Sequence, residues 1–103
     1  MEQTLFFPDW HDKVIFSAGG PQPQVLHEDA KVKVVVVGLE AGGRIPAHAG
    51  GAGVYHFLEG AGQMSVGDEV FAVQVGATLL IPDGATRGLL AQTQLVFIAV
   101  RLL

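Results

Sequence analysis

The chain has 103 residues, half of them hydrophobic and 16% charged, with a formal net charge of -4 and no cysteine. That length holds one hydrophobic core and therefore one domain. The acidic balance, with no basic stripe, excludes a nucleic-acid surface, and the missing cysteines exclude a disulfide frame, a thiolate zinc site and a thiol nucleophile.

In chain order, the segment Met1 to Trp10 lacks the basic region and apolar stretch of a secretory signal, so a cytoplasmic location is expected. Its Leu5-Phe6-Phe7-Pro8-Asp9-Trp10 stretch is apolar and aromatic and needs something to cover. Lys13-Val14-Ile15-Phe16 is a strand candidate broken at Ser17-Ala18-Gly19-Gly20-Pro21, and Gln24-Val25-Leu26-His27 is a second, weaker one. Lys31 to Val37 begins by alternating and then turns apolar on both faces, as a strand does on entering a core.

After Gly42-Gly43 a glycine-rich loop carries Ile45-Pro46-Ala47-His48, and strands resume at Gly53 to Leu58 and Gln63 to Val66. Gly67-Asp68-Glu69 turns a hairpin into Val70 to Gln74. Thr78 to Ile81 stops at Pro82-Asp83-Gly84, and Gln94 to Arg101 is a long apolar strand expected to be buried on both faces. Fourteen glycines and five prolines between short apolar runs predict an all-β domain, a sandwich or small barrel, and a lipocalin-like meander fits the same pattern. No apolar run approaches the ~20 residues of a membrane span, so no membrane partner is expected.

Two glycine-bracketed segments narrow the choice. Gly42, five residues, His48, and then Gly60 follow the spacing of one motif; Gly76, five residues, Pro82, one residue and Gly84 follow that of a second. This pair of spacings resembles the two motifs of the cupin family, across residues 31–103. The resemblance implies an all-β, antiparallel jelly-roll β-barrel (the cupin double-stranded β-helix), with residues 31–103 as barrel core. Residues 1–30 would supply N-terminal strands and an arm that docks on the partner of a homodimer, or packs under its own barrel.

The family's ligands are three histidines and a glutamate holding a divalent metal. Counting back from Gly60 puts Gly53 at the glutamate position, and counting forward from His48 puts Gly50 at the second histidine position. His48 can stand for either histidine of the first motif. Arg87 stands where the second motif has its histidine, and Ala91 where it has its asparagine.

The glycines and proline report turn geometry and support the fold. The ligand positions report chemistry, and His48 alone survives. One imidazole does not make the three-ligand site of a first-row metal. A permanently charged guanidinium at roughly 4 Å would repel a dication by about 8 kcal/mol at an effective dielectric of about 20. No bound cofactor is therefore expected, and Fe, Mn, Zn or Ni are disfavoured.

His48 and Arg87 at ligand positions would face one another across the barrel mouth and suit a small anionic or oxygenated molecule, with Arg87 gripping it bidentately. Tyr55 and Phe57 share the parity of Gly53 and line the same interior, continued by Met64 and Val66; simple core packing is the plainer account of these four, because large apolar residues inside a small barrel usually just fill it. His56 has the opposite parity and faces away. His11 and His27 read as ordinary surface or hydrogen-bonded residues, Arg44 as a surface charge, and Arg101 as a side chain that snorkels or pairs with a carboxylate at an interface.

No nucleophile elbow, phosphate-cradling loop or spaced carboxylate pair is present. Three functions remain. The first is a metal-free cupin-like domain that binds a small molecule. The second is a metal-dependent enzyme of dioxygenase or isomerase type with an atypical ligand set. The third is a structural dimerisation module.

Overall fold

Short apolar runs separated by turn-formers bury themselves only by pairing edge to edge and stacking face to face. The structure, a computed structural model, describes residues 3–103; Met1 and Glu2, the start of the expected arm, lie outside the described residues. Nine strands follow a single 3-10 turn at Trp10–Asp12. They are β1 (Gln24–Glu28), β2 (Val32–Leu39), β3 (Arg44–Ala49), β4 (Gly53–Glu59), β5 (Ala61–Val66), β6 (Glu69–Gln74), β7 (Thr78–Ile81), β8 (Thr86–Ala91) and β9 (Leu95–Leu102).

One sheet has the order β1-β2-β9-β4-β7 and the other β3-β8-β5-β6. Every pairing is antiparallel. The two sheets stack as a jelly roll. No ladder joins them among the described residues, so the expected barrel is an open, two-sheet cup.

Strand parity sets the core. On β2, Val35, Val37 and Leu39 point between the sheets, and on β9 their counterparts are Leu95, Phe97 and Ala99. Tyr55 and Phe57 of β4, Met64 of β5, Val73 of β6, Ile81 of β7, and Leu89 and Ala91 of β8 complete the cluster, with Phe57, Phe97, Leu39, Met64 and Leu95 fully buried. Each such side chain contributes about 2 kcal/mol of hydrophobic burial. Strand β9 lies between β2 and β4, which explains its lack of polar alternation: Leu95, Val96 and Phe97 are buried although they alternate faces.

The chain's own N-terminal segment crosses part of the outer face of the five-stranded sheet. A Cβ on Gly38 of β2 would meet the Ile15 carbonyl at 2.7 Å and the Val14 side chain at 2.7 Å, so only glycine admits that crossing. Further along, Phe7, Pro8 and Trp10 bound a groove against Leu26, Val36 and Ile98.

Three elements differ from the sequence reading. Lys13 to Phe16 forms no strand; it crosses the sheet in irregular conformation. The residues read as a loop around His48 are strand β3, hidden by Pro46. Proline is tolerated there because β3 is an edge strand and its pairing with β8 is irregular between Ile45 and His48. Strand β8 was masked by Gly88, whose missing side chain lets β3 approach: a Cβ there would sit 3.0 Å from both the Ala47 amide nitrogen and the Ile45 carbonyl oxygen.

Candidate functional site

The inward face of each strand is not uniform along its length. On β2 it runs Lys33, Val35, Val37, Leu39, and on β9 it runs Arg101, Ala99, Phe97, Leu95. Lys33 and Arg101 are direct cross-strand partners, as are Val35 with Ala99 and Val37 with Phe97. The cup therefore has an apolar floor and a cationic rim. It holds a cavity of about 210 Å³ that opens to solvent.

The walls are Val35, Val37, Tyr55, Met64, Leu89 and Phe97, with the Tyr55 and Phe97 rings stacked at 5.5 Å between centroids. Lys33, Arg87, Arg101 and His48 supply its polar side chains apart from the Tyr55 hydroxyl, while Pro21 and Pro23 of the N-terminal segment close one side. Three of the six lysines and arginines of an acidic chain thus line one cavity, and no aspartate or glutamate does. Glu28 lies opposite Lys33 in the β1–β2 register, yet neither Lys33 nor Arg101 forms an ion pair among the described residues.

Arg87 is 3% exposed, the one buried charged side chain among the described residues. No carboxylate neutralises it. Its Nη1 donates to the Gly51 carbonyl at 2.8 Å, its Nη2 to those of Gly50 at 2.9 Å and Ala85 at 2.8 Å, and its Nε to Ala85 at 3.2 Å. One guanidinium N–H remains. Carbonyl dipoles solvate the charge, and the guanidinium latches the Gly-rich β3–β4 connection onto β8. The expected bidentate grip on an anion thus meets a group whose donors are largely engaged already.

The other predicted residues separate clearly. His48 and Arg87 do not face one another across a mouth; they are register partners on adjacent strands, because the loop read around His48 is strand β3. His48 is exposed, with Nδ1 3.1 Å from the Pro46 carbonyl oxygen. Tyr55 and Met64 line the cavity. Phe57 points inward with them but sits deeper, fully buried with its ring 5.7 Å from Phe97, and does not reach the cavity. His56 faces outward and hydrogen-bonds Thr78 Oγ1 at 2.7 Å.

His27 and His11 each serve a local turn. Hydrogen bonds from His27 and from the Lys31 and Val32 amides hold the Asp29 carboxyl far below the usual carboxylate range. The His11 side chain lowers Asp9 in the same way and stacks on Trp10 at 3.7 Å.

Sequence reasoning passed over Lys33 and read Arg101 as a side chain that snorkels or pairs with a carboxylate at an interface. The signal was parity: each extends the inward-facing set of its strand by one step, in register with the other.

No protein-family model matches the sequence, and no curated protein matches it. Solved structures match it throughout. A conserved protein with a double-stranded β-helix domain from Klebsiella pneumoniae superposes with a TM-score of 0.87 at 21% identity, over 97% of this chain and 90% of that one. The chain has the cupin fold. An RmlC-like cupin from Shewanella frigidimarina (TM-score 0.80, 20% identity, 99% and 94% coverage) is similar to it. So is an RmlC-like cupin from Desulfovibrio desulfuricans (TM-score 0.79, 24% identity, 99% and 96% coverage).

Within the cupin fold, the positions counted as lost ligands converge in space. A Cβ on Gly50 would lie 3.4 Å from Arg87 Cζ, and one on Gly53 would lie 3.9 Å from Arg87 Nη1. The guanidinium occupies the space between them. Among the described residues, no three His, Cys, Asp or Glu side chains are grouped so that they could hold a metal ion.

Proposed function

We propose that this cupin-fold domain binds a small anionic molecule in the cup between its sheets, without a bound metal. The observation that carries the reading is the one-signed lining: three cations and a histidine around an apolar cavity, with no acid, in a chain of net charge -4. A cavity cationic at the rim and apolar inside strengthens charge–charge attraction by its low dielectric. The metal-free part is supported by the donor set: glycine at two ligand positions, a carbonyl-solvated guanidinium between them, and one exposed imidazole.

Isothermal titration with a panel of carboxylates and phosphates tests the binding. At least one anion should bind with stoichiometry near one per chain, more weakly as salt is raised. A panel in which nothing binds, or neutral analogues that bind equally well, overturns the reading. Metal analysis of protein purified without chelator should find far less than one equivalent of any transition metal; a full equivalent would move the assignment to a metal-dependent enzyme.

A homodimer belongs to the same reading. It is supported by apolar side chains left in solvent, Phe6 at 81% and Leu80 on the edge strand β7 at 75% exposure. Size-exclusion chromatography with light scattering should give twice the chain mass, and a clean monomer removes this element.

A further inference from the structure

The cross-strand pair Lys33–Arg101 is anomalous by the rules of sheet pairing. Two like charges directly opposite on one face destabilise a ladder, and although Glu28 lies opposite Lys33 on β1, no described carboxylate forms an ion pair with either cation. Both line the cavity, at the end of the strand faces that continue inward as Val35–Ala99 and Val37–Phe97. An anion seated between them would turn that repulsion into two attractions. Arg87, the cation that the spacing singled out, is by contrast held by three carbonyls.

The cavity also sets what must lie behind the charge. Its inner surface is aliphatic and aromatic, with the Tyr55–Phe97 stack at its side, and offers few polar groups besides the Tyr55 hydroxyl. A strongly hydrated anion such as phosphate leaves that surface unused. An apolar cavity of about 150 Å³ holds one benzene. The 210 Å³ here holds a single ring or a chain of about six carbons, together with part of a head group.

Resting on the anion-binding reading above, we infer that the ligand class is a small amphipathic monocarboxylate. The carboxylate is anchored between Lys33 and Arg101 at the rim, and an aryl or short alkyl body is buried against Val35, Val37, Tyr55 and Phe97. The two cations act as binding residues and Arg87 as the positioning residue that keeps the adjoining loop in place.

The test is calorimetric titration of the full chain with phenylacetate and hexanoate, beside acetate, inorganic phosphate and neutral phenylacetamide. Lys33→Gln, Arg101→Gln and the double variant are titrated in parallel; both sites are at least partly solvent-exposed, and circular dichroism verifies that the variants fold. Phenylacetate or hexanoate should bind at least tenfold more tightly than acetate, phosphate or phenylacetamide. Each single variant should weaken that binding by about tenfold, as loss of one charge-assisted contact does.

If acetate or phosphate binds as tightly as the larger acids, the amphipathic class is wrong while the anion site stands. If phenylacetate binds but neither variant weakens it, the rim anchor is wrong. If phenylacetamide matches phenylacetate, or no probe binds, the inference and the anion reading fall together.

Discussion

Replacing Arg87 by methionine isolates the latch from the charge. The substitution keeps an unbranched chain on β8 but deletes every side-chain donor that holds the β3–β4 connection. The Gly50 carbonyl retains a bond from the Gly84 amide at 2.8 Å, whereas those of Gly51 and Ala85 have no other donor among the described residues. Each buried acceptor left without a donor costs about 1–3 kcal/mol. Two such losses set an upper range of about 2–6 kcal/mol.

Two effects reduce it. The site borders the cavity, so water can replace part of the lost bonding, and removing the guanidinium also removes its own desolvation cost. A net loss of about 2 kcal/mol is expected, which lowers the melting temperature by roughly 8–16 °C in a domain of this size.

Hydrogen exchange followed by NMR gives the local readout. The amides of Gly84 and Leu102, which donate to Gly50 and Ala52 of the latched loop, should lose protection, while the Gly76 amide bonded to Phe57 keeps it. Arg87→Lys, with a compact ammonium and shorter reach, should fall between. An Arg87→Met protein that melts with the wild type and protects Gly84 and Leu102 equally well would refute the assignment of Arg87 as a latch.

Gly60→Ala should destabilise by more than about 3 kcal/mol, because the chain sits at φ 85° there and a Cβ would lie 1.8 Å from the Gln94 carbonyl oxygen. Gly67→Ala, at φ 57° with open space around it, should cost only about 1–2 kcal/mol; paired urea melts distinguish the two. Gly88→Ala should cost about 1–3 kcal/mol in the same assay, since its Cβ would press on backbone atoms of β3.

Asp29 titrates in the folded chain well below its ordinary value of 3.8, so its stabilisation is complete above that value and is lost as pH falls through the depressed one. Asp29→Asn should therefore lower the melting temperature at neutral pH and flatten the decline measured below pH 3.8. An unchanged acid limb would show that the carboxylate does not support the β1–β2 turn.

What the sequence disclosed was turn geometry. Gly42, Gly60, Gly76 and Gly84 all adopt positive φ, where the missing Cβ is required, so their spacing mapped the hairpins and with them the fold. Strands β3 and β8 escaped because Pro46 and Gly88 look like breakers in one dimension. They are compatible with strands only once an edge position and a close inter-strand approach are known. The site was legible by halves for a related reason. Parity placed Tyr55 and Met64 on the inner face, but depth along the strand separated Phe57 from the cavity, and depth depends on how far the opposite sheet extends.

Arg87 shows why ligand positions and ligand chemistry come apart. The spacing put it at a ligand position facing His48 across the mouth, whereas the structure sets it beside His48 on the neighbouring strand and close to Gly50 and Gly53; what a cation does at a position depends on which oxygens reach it. Here those oxygens belong to the backbone, and they reach the guanidinium because glycine at residues 50, 51 and 53 lets the β3–β4 connection come close. A Cβ at Gly51 would strike the Leu102 carbonyl oxygen at 2.6 Å, so residue 51 admits no side chain in this conformation. The glycines and the arginine are therefore one device. Placing a glutamate at residue 53 would crowd the Val100 carbonyl oxygen at 2.9 Å and set a carboxylate beside Arg87, forming an ion pair instead of a vacancy for a metal. Of the cavity's three lysines and arginines, the rim pair Lys33 and Arg101 is then the one that no described carboxylate has claimed, which is what the proposed anion site requires.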